Sequence, residues 1–323
     1  MGRNSRTGAG QILRSAGYFV EPHTGKVIPL GTREVEDYTI PLFRYDKILY
    51  VEKKGFHELF KIGNIAERYD LGIICAEGYA PDAAKLLMSR AEQTGSMMLG
   101  CLHDADPYGY NIVRRLRDLT RLQRSTINII DFGMSLEEAL ELGLDTEEFI
   151  RDRELPQGLE FNEIERRYFE GVPCGWKKGR RLYRCQRVEL NALASDPERF
   201  IQFVERKLAQ HDGATKLVPP KKVMMEQAQL LVGGLIKDGV QKQLAELLHE
   251  DAIVGAATEK FARRIVGKDL PKEIADWATL LEAKSWDQHL LELLKTRAIE
   301  YTEALGAHIL AKVREFAAKL LES

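Results

Sequence analysis

Cysteine is scarce in this chain of 323 residues. Cys75, Cys101, Cys174 and Cys185 are its only four, and no two stand at metal-ligand spacing. A disulfide framework or a cysteine-built zinc site is therefore not expected. Cys75 and Cys101 fall in apolar, strand-like runs and read as buried thiols, which fits a reducing, cytoplasmic compartment. The chain also lacks an apolar run long enough to span a bilayer, and no signal peptide is recognisable, so no membrane partner is expected. A net excess of charge is missing too. Lys and Arg number 47 against 49 Asp and Glu, a formal charge of -2, so affinity for a polyanion must come from local patches. There is no internal repeat and no low-complexity tract.

What is present is a length that allows two or three domains, with 44% apolar residues to build their cores. Residues 1–44 are weakly periodic and read as an N-terminal arm, with short strands as the alternative at 17–22 and 26–30. From Lys47 the pattern sharpens. Apolar strands at 48–51, 71–75, 97–102 and 127–130 alternate with helices at 56–69, 81–94 and 108–123. Alternation of this kind, with strands apolar throughout, predicts an α/β fold: a parallel sheet covered by helices on both faces. Residues 135–218 are harder to read. They contain a helix start at Ser135, a loop or hairpin rich in Lys and Arg at 171–187, and an amphipathic helix at 197–209. Pro219-Pro220 breaks the chain. Residues 219–323 read as an all-α C-terminal domain, with Leu, Ala and Ile at three- and four-residue spacing. That domain is either a self-contained bundle or an interface.

Three acids stand out in this frame. Glu52 follows the run Lys47-Ile48-Leu49-Tyr50-Val51, and Asp104 and Asp106 follow Cys101-Leu102-His103. Ligands of parallel sheets bind beyond the carboxyl ends of the strands, where all three acids fall. Carboxylates there are costly unless a cation joins them, and Mg²⁺ takes such hard oxygen ligands together with phosphate. Pro107 and Gly109 turn the chain into a helix whose N-terminus favours an anion. The alternative reading of Asp104 or Asp106 is a helix cap. Asp-X-Asp also serves phosphatases with an aspartate nucleophile and sugar-nucleotide enzymes, and Glu52 in its topological place argues against both.

The segments Val51-Glu52-Lys53, Glu77-Gly78-Tyr79-Ala80-Pro81-Asp82 and Asp104-Ala105-Asp106-Pro107-Tyr108-Gly109 resemble the Toprim domain of the topoisomerase VI A subunit. The meiotic double-strand-break proteins share this domain. Arg187-Val188-Glu189-Leu190-Asn191-Ala192-Leu193 resembles a stretch downstream of that core. The likeness covers roughly residues 45–215, so 45–218 is expected to be the Toprim domain with a basic extension. The resemblance implies catalytic and metal-binding roles for Glu52, Asp104 and Asp106, and Mg²⁺, with Mn²⁺ as its substitute, as the cofactor. It places Gly78 and Tyr79 on a loop beside the site. It implies DNA as the partner, a homodimer, and an ATPase partner chain. One feature departs from the family pattern. Members of the family carry the nucleophilic tyrosine in a winged-helix domain upstream, and fewer than fifty residues precede the first Toprim strand here. Tyr18, Tyr38 and Tyr45 lie upstream, in no helix-turn-helix pattern.

Further residues are candidate DNA contacts. Arg114, Arg117, Arg121 and Arg124 share a helix face that suits a phosphate backbone, or a solvated face paired with acids such as Asp118. Trp176-Lys177-Lys178-Gly179-Arg180-Arg181-Leu182-Tyr183 interleaves cations with aromatics, which suits phosphate contact with stacking; packing of the aromatics on the core is the alternative. Lys53 either neutralises phosphate or ends its strand. Glu189 either approaches the metal site or forms a salt bridge. His103 reads as a packed core histidine, and His57 has no recognisable partner. Three functions follow: Mg²⁺-dependent DNA strand breakage by transesterification with the tyrosine supplied elsewhere, hydrolysis by a Toprim nuclease, or a non-catalytic DNA-binding or assembly module.

Overall fold

The computed structural model describes residues 17–76, 82–93, 95, 97–122, 125–244 and 282–295, with 299, 302, 303, 306–308 and 311. It divides into two compact units near residue 217, with 281–283 belonging to the first.

The first unit is built on a six-stranded sheet of order β2-β1-β4-β3-β5-β6. These strands are β1 (Gly17–Val20), β2 (Val27–Pro29), β3 (Lys47–Val51), β4 (Leu71–Ala76), β5 (Met98–Leu102) and β6 (Asn128–Asp131). β4, β3, β5 and β6 run parallel, as the alternation of strands and helices predicts. β3 is buried along its whole length, the mark of a central strand covered on both faces. Leu49 and Val51 enter one core, and Ile48 and Tyr50 the other. The segment 17–30, read as an arm or short strands, forms strands. β1 adds antiparallel to β4, pairing Tyr18 with Cys75, and β2 pairs with β1.

Helices α1 (Thr32–Asp37), α2 (His57–Ile62), α3 (Ile65–Tyr69), α4 (Asp82–Glu92) and α5 (Pro107–Leu122) connect the strands. The single helix expected over 56–69 is two. Gly63 ends α2, and Asn64, with φ of 48°, turns the chain left-handed before α3. The periodicity survives this break, so the break is invisible to it.

After β6 come α6 (Leu136–Glu141) and a separate antiparallel sheet of order β7-β9-β8. It comprises β7 (Glu147–Arg151), β8 (Val172–Lys177) and β9 (Arg180–Arg187), with α7 (Glu163–Phe169) between β7 and β8. The basic segment at 171–187 is therefore a hairpin. β7 escapes the sequence reading because its only strongly apolar members are Phe149 and Ile150. α8 (Leu190–Ala194) and α9 (Pro197–Gln210) complete the unit. In the second unit the described segments are helical. α10 (Lys221–Leu244) buries Met224, Ala228 and Val232 at four-residue spacing, and the helical stretch 286–295 buries Leu290 and Leu294.

Candidate active site

The chain leaves β3 for β4 on one side, then crosses to β5 on the other. The carboxyl ends of β3 and β5 therefore flank the topological switch point, where open α/β sheets bind their ligands. Glu52 is the residue after β3. Asp104 and Asp106 lie just beyond β5, both buried.

Each aspartate uses its two oxygens differently. Asp104 Oδ1 accepts the backbone N–H of Leu190 at 2.7 Å, and its Oδ2 meets Lys53 Nζ at 2.9 Å. Asp106 Oδ1 accepts the N–H groups of Tyr108 and Gly109, at 2.9 and 2.7 Å, and so caps α5. Its Oδ2 faces Arg187 Nη1 at 3.7 Å. The helix-cap reading and the site reading of Asp106 are thus both satisfied, one by each oxygen. Glycine at 109 is required by the close approach of α5: a Cβ there would lie 2.6 Å from the carbonyl oxygen of Asp104.

Charge is crowded here. Burial, then the fields of Asp106 and Asp104, push the Glu52 carboxyl up to about 7. Burial also raises Asp106, with Asp104 adding to the shift against the opposing N–H bond from Gly109. Lys53 and Arg187 answer part of this charge directly and also share Glu189. Lys53 Nζ donates to Glu189 Oε2 at 2.9 Å, and Arg187 Nη2 pairs with Glu189 Oε1. Lys53, read as a phosphate contact, is therefore engaged with two carboxylates.

His103 is buried as expected. Its Nδ1 lies 2.8 Å from the carbonyl oxygen of Asp104, and its Nε2 lies 3.0 Å from Asp131 Oδ1 at the end of β6. Burial alone would lower the imidazole pKa, but the hydrogen bond and charge of Asp131 outweigh it and raise the value. Asp131 and Arg187 went unread in the sequence. A signal existed for Asp131, since it too ends an apolar parallel strand.

The candidate DNA contacts separate into groups. Lys177, Lys178, Arg180 and Arg181 gather at the tip of the β8–β9 hairpin, where Lys178 and Gly179 form the turn with φ of 47° and 76°. Lys177 faces Arg180 across the strands, and Trp176, 72% exposed, faces Arg181. Like charges directly opposite repel, so the tip favours an anion. Arg114 instead pairs with Asp118 at 3.2 Å and bonds Asn111, as the solvated-face reading has it. Arg117 Nε reaches the carbonyl oxygen of Ile129 at 3.4 Å. Arg121 lies on α5. Its side chain, together with Gly78, Tyr79 and Arg124, is outside the described residues. The site is thus centred on Glu52, Lys53, Asp104, Asp106, Arg187 and Glu189, with the hairpin tip at the far end of β9.

Among the described residues no group of three or more His, Cys, Asp or Glu is arranged to hold an ion. Lys53 and Arg187 face the Oδ2 atoms of Asp104 and Asp106 instead. The donor set still suits a hard divalent cation: Glu52, Asp104 and Asp106 are carboxylates near enough for the fields of both aspartates to add to burial in raising Glu52.

A mostly parallel sheet with clustered acids at its switch point is consistent with a Toprim-type domain. The family model for the Toprim domain of the topoisomerase 6 A subunit and Spo11 matches residues 47–208, half of the chain. The chain belongs to that family, which ties it to DNA cleavage in general and to divalent metal. No curated relative and no solved structure matches it.

Proposed function

We propose that this chain acts in divalent-metal-dependent DNA strand breakage of the topoisomerase VI A type. The observation that carries the reading is the placement of Glu52, Asp104 and Asp106 at the ends of β3 and β5, where burial and the charges of the two aspartates hold Glu52 near 7. Glu52, Asp104 and Asp106 would hold Mg²⁺ or Mn²⁺, which when bound offsets the negative charge developing on the phosphate. Glu52 would also be placed to take the proton from the attacking hydroxyl or return one to the leaving sugar oxygen. Asp106 orients the first turn of α5 toward the phosphate. The hairpin tip grips the duplex roughly 23 Å away, the length of eight residues of β9.

In this reading a tyrosine oxygen attacks phosphorus and remains covalently attached to the DNA. Tyr18, Tyr38 and Tyr45 are buried, and burial pushes each hydroxyl pKa up, so the tyrosine is assigned to another domain or chain. The burial of these three tyrosines favours a second reading, hydrolysis, in which Glu52 takes the proton from water. DNA, a homodimer, an ATPase partner and a cytoplasmic location belong to the same proposal. No helix among the described residues is long and apolar enough to cross a membrane. A denaturing gel of the protein, or its natural complex, with labelled duplex and Mg²⁺ tests the chemistry. A protein–DNA adduct supports transesterification, and free cleaved ends support hydrolysis. Absence of both overturns the proposal.

A further inference from the structure

The two aspartates are held alike in a way the family resemblance does not explain. In each, Oδ1 accepts backbone N–H, one group on Asp104 and two on Asp106, and Oδ2 faces the tip of a long cationic side chain, Lys53 at 2.9 Å and Arg187 at 3.7 Å. Backbone donors cannot leave without unfolding the turn. Lys53 and Arg187 can, since their side chains are 24% and 27% exposed. Arg187 is also incompletely bonded. Its Nε is buried without a hydrogen bond, 3.4 Å from Glu147 Oε1. Both cations meet on Glu189, whose backbone neighbours are pinned to the aspartate segment. Val188 and Ala105 exchange hydrogen bonds at 2.9 and 3.3 Å, and Leu190 donates to Asp104. Asp104, Lys53, Glu189, Arg187 and Asp106 thus form one continuous chain of ionic contacts around the cleft.

We propose that Lys53 and Arg187 are exchangeable occupants of the metal-facing oxygens, and that Glu189 is the positioning residue that retains them at the cleft when a divalent cation displaces them. Resting on the metal-dependent reading above, this deepens it. A cation entering at the Oδ2 atoms turns two neutralising side chains into two spare positive charges beside the scissile phosphate. Metal then promotes DNA binding through the protein's own cations, and DNA promotes metal binding by drawing those cations off the carboxylates. Glu189 keeps both within reach, because each retains one of its carboxylate oxygens.

The test is calorimetric titration of the full chain with Mn²⁺, without DNA, repeated as a DNA titration in Ca²⁺. Lys53→Gln and Arg187→Gln each remove a competitor, so each should bind Mn²⁺ about tenfold tighter than wild type. The same variants should lose most of the gain in DNA affinity that the metal gives wild type. Glu189→Gln frees both cations to press on the aspartates and should bind Mn²⁺ more weakly. Circular dichroism confirms that each variant is folded, and the two lysine and arginine variants stand as independent trials. Mn²⁺ affinity unchanged or weaker in both cation variants overturns the exchange. Mn²⁺ binding that survives Asp104→Asn at wild-type strength overturns the metal site itself, and the exchange with it.

Discussion

His103 bridges two oxygen acceptors, its Nδ1 lying 2.8 Å from the carbonyl oxygen of Asp104 and its Nε2 3.0 Å from Asp131 Oδ1. Both partners are acceptors, so they favour the doubly protonated ring, and Asp131 raises its pKa against the opposing effect of burial. Replacing it should cost stability. Its charged hydrogen bond is worth about 1.5–3 kcal/mol, less some exposure of Asp131. The pH dependence follows from the directions of the two shifts. A raised histidine stabilises the fold below its unfolded pKa, near 6.5, and that contribution is lost as pH rises through the folded value. Asp131, lowered by His103 against the opposing effect of burial, contributes above its unfolded value, near 4. The loss in His103→Gln, measured by urea unfolding, should therefore be greatest between about pH 4 and 6.5.

Glu52 behaves in the opposite sense. Its raised carboxyl penalises the folded state as it ionises, from about 4.5 up to about 7. Glu52→Gln should therefore match wild type near pH 4 and be more stable at pH 8 without metal, by on the order of 3 kcal/mol. Thermal unfolding at the two pH values checks this. Saturating Mg²⁺ should reverse the order, because wild type then gains binding energy that the variant lacks.

Asp106→Ala removes a helix cap and, in the proposed function, a metal ligand. The missing bonds to Tyr108 and Gly109 should cost about 1 kcal/mol, too little to unfold the domain. DNA cleavage should disappear at the same time. Tyr108→Phe leaves the backbone cap intact, and cleavage should stay within about threefold of wild type if the attacking tyrosine comes from elsewhere. Loss of activity with loss of the covalent adduct would place the nucleophile at Tyr108.

The hairpin is a separate trial. Changing Lys178, Arg180 and Arg181 to Ala should weaken DNA binding and flatten the log–log salt slope by roughly 2–3, at about 0.9 per phosphate contact. Metal binding should not change, because the tip stands a full strand away from the acids. Unchanged DNA affinity would show that the hairpin packs elsewhere.

The parallel strands and the acids at their ends are legible in the sequence because both follow from local pattern. A strand buried on both faces must read as continuous apolar residues, as Ile48–Val51 does, and a polar residue at its carboxyl end is conspicuous. Arg187 and Asp131 are different. Arg187 comes to Asp106 only through the pairing of Ala105 with Val188, a contact between segments more than eighty residues apart. No local spacing encodes it. The arginine periodicity on α5 was legible as a face but not as a function, since Arg114 folds back onto Asp118 of its own helix. β7 was hidden for a similar reason: a mostly exposed strand of Glu147, Glu148, Phe149, Ile150 and Arg151 lacks the buried alternation that marks a strand.

The most direct trial of the acidic site is cleavage of supercoiled plasmid in Mg²⁺ by the protein, with its natural partners where it has them, against Asp104→Ala/Asp106→Ala. The expected result is nicked or linear DNA with wild type, none with the double variant, and matching circular dichroism for both. Equal cleavage by the folded double variant would contradict the assignment of the chemistry to these carboxylates.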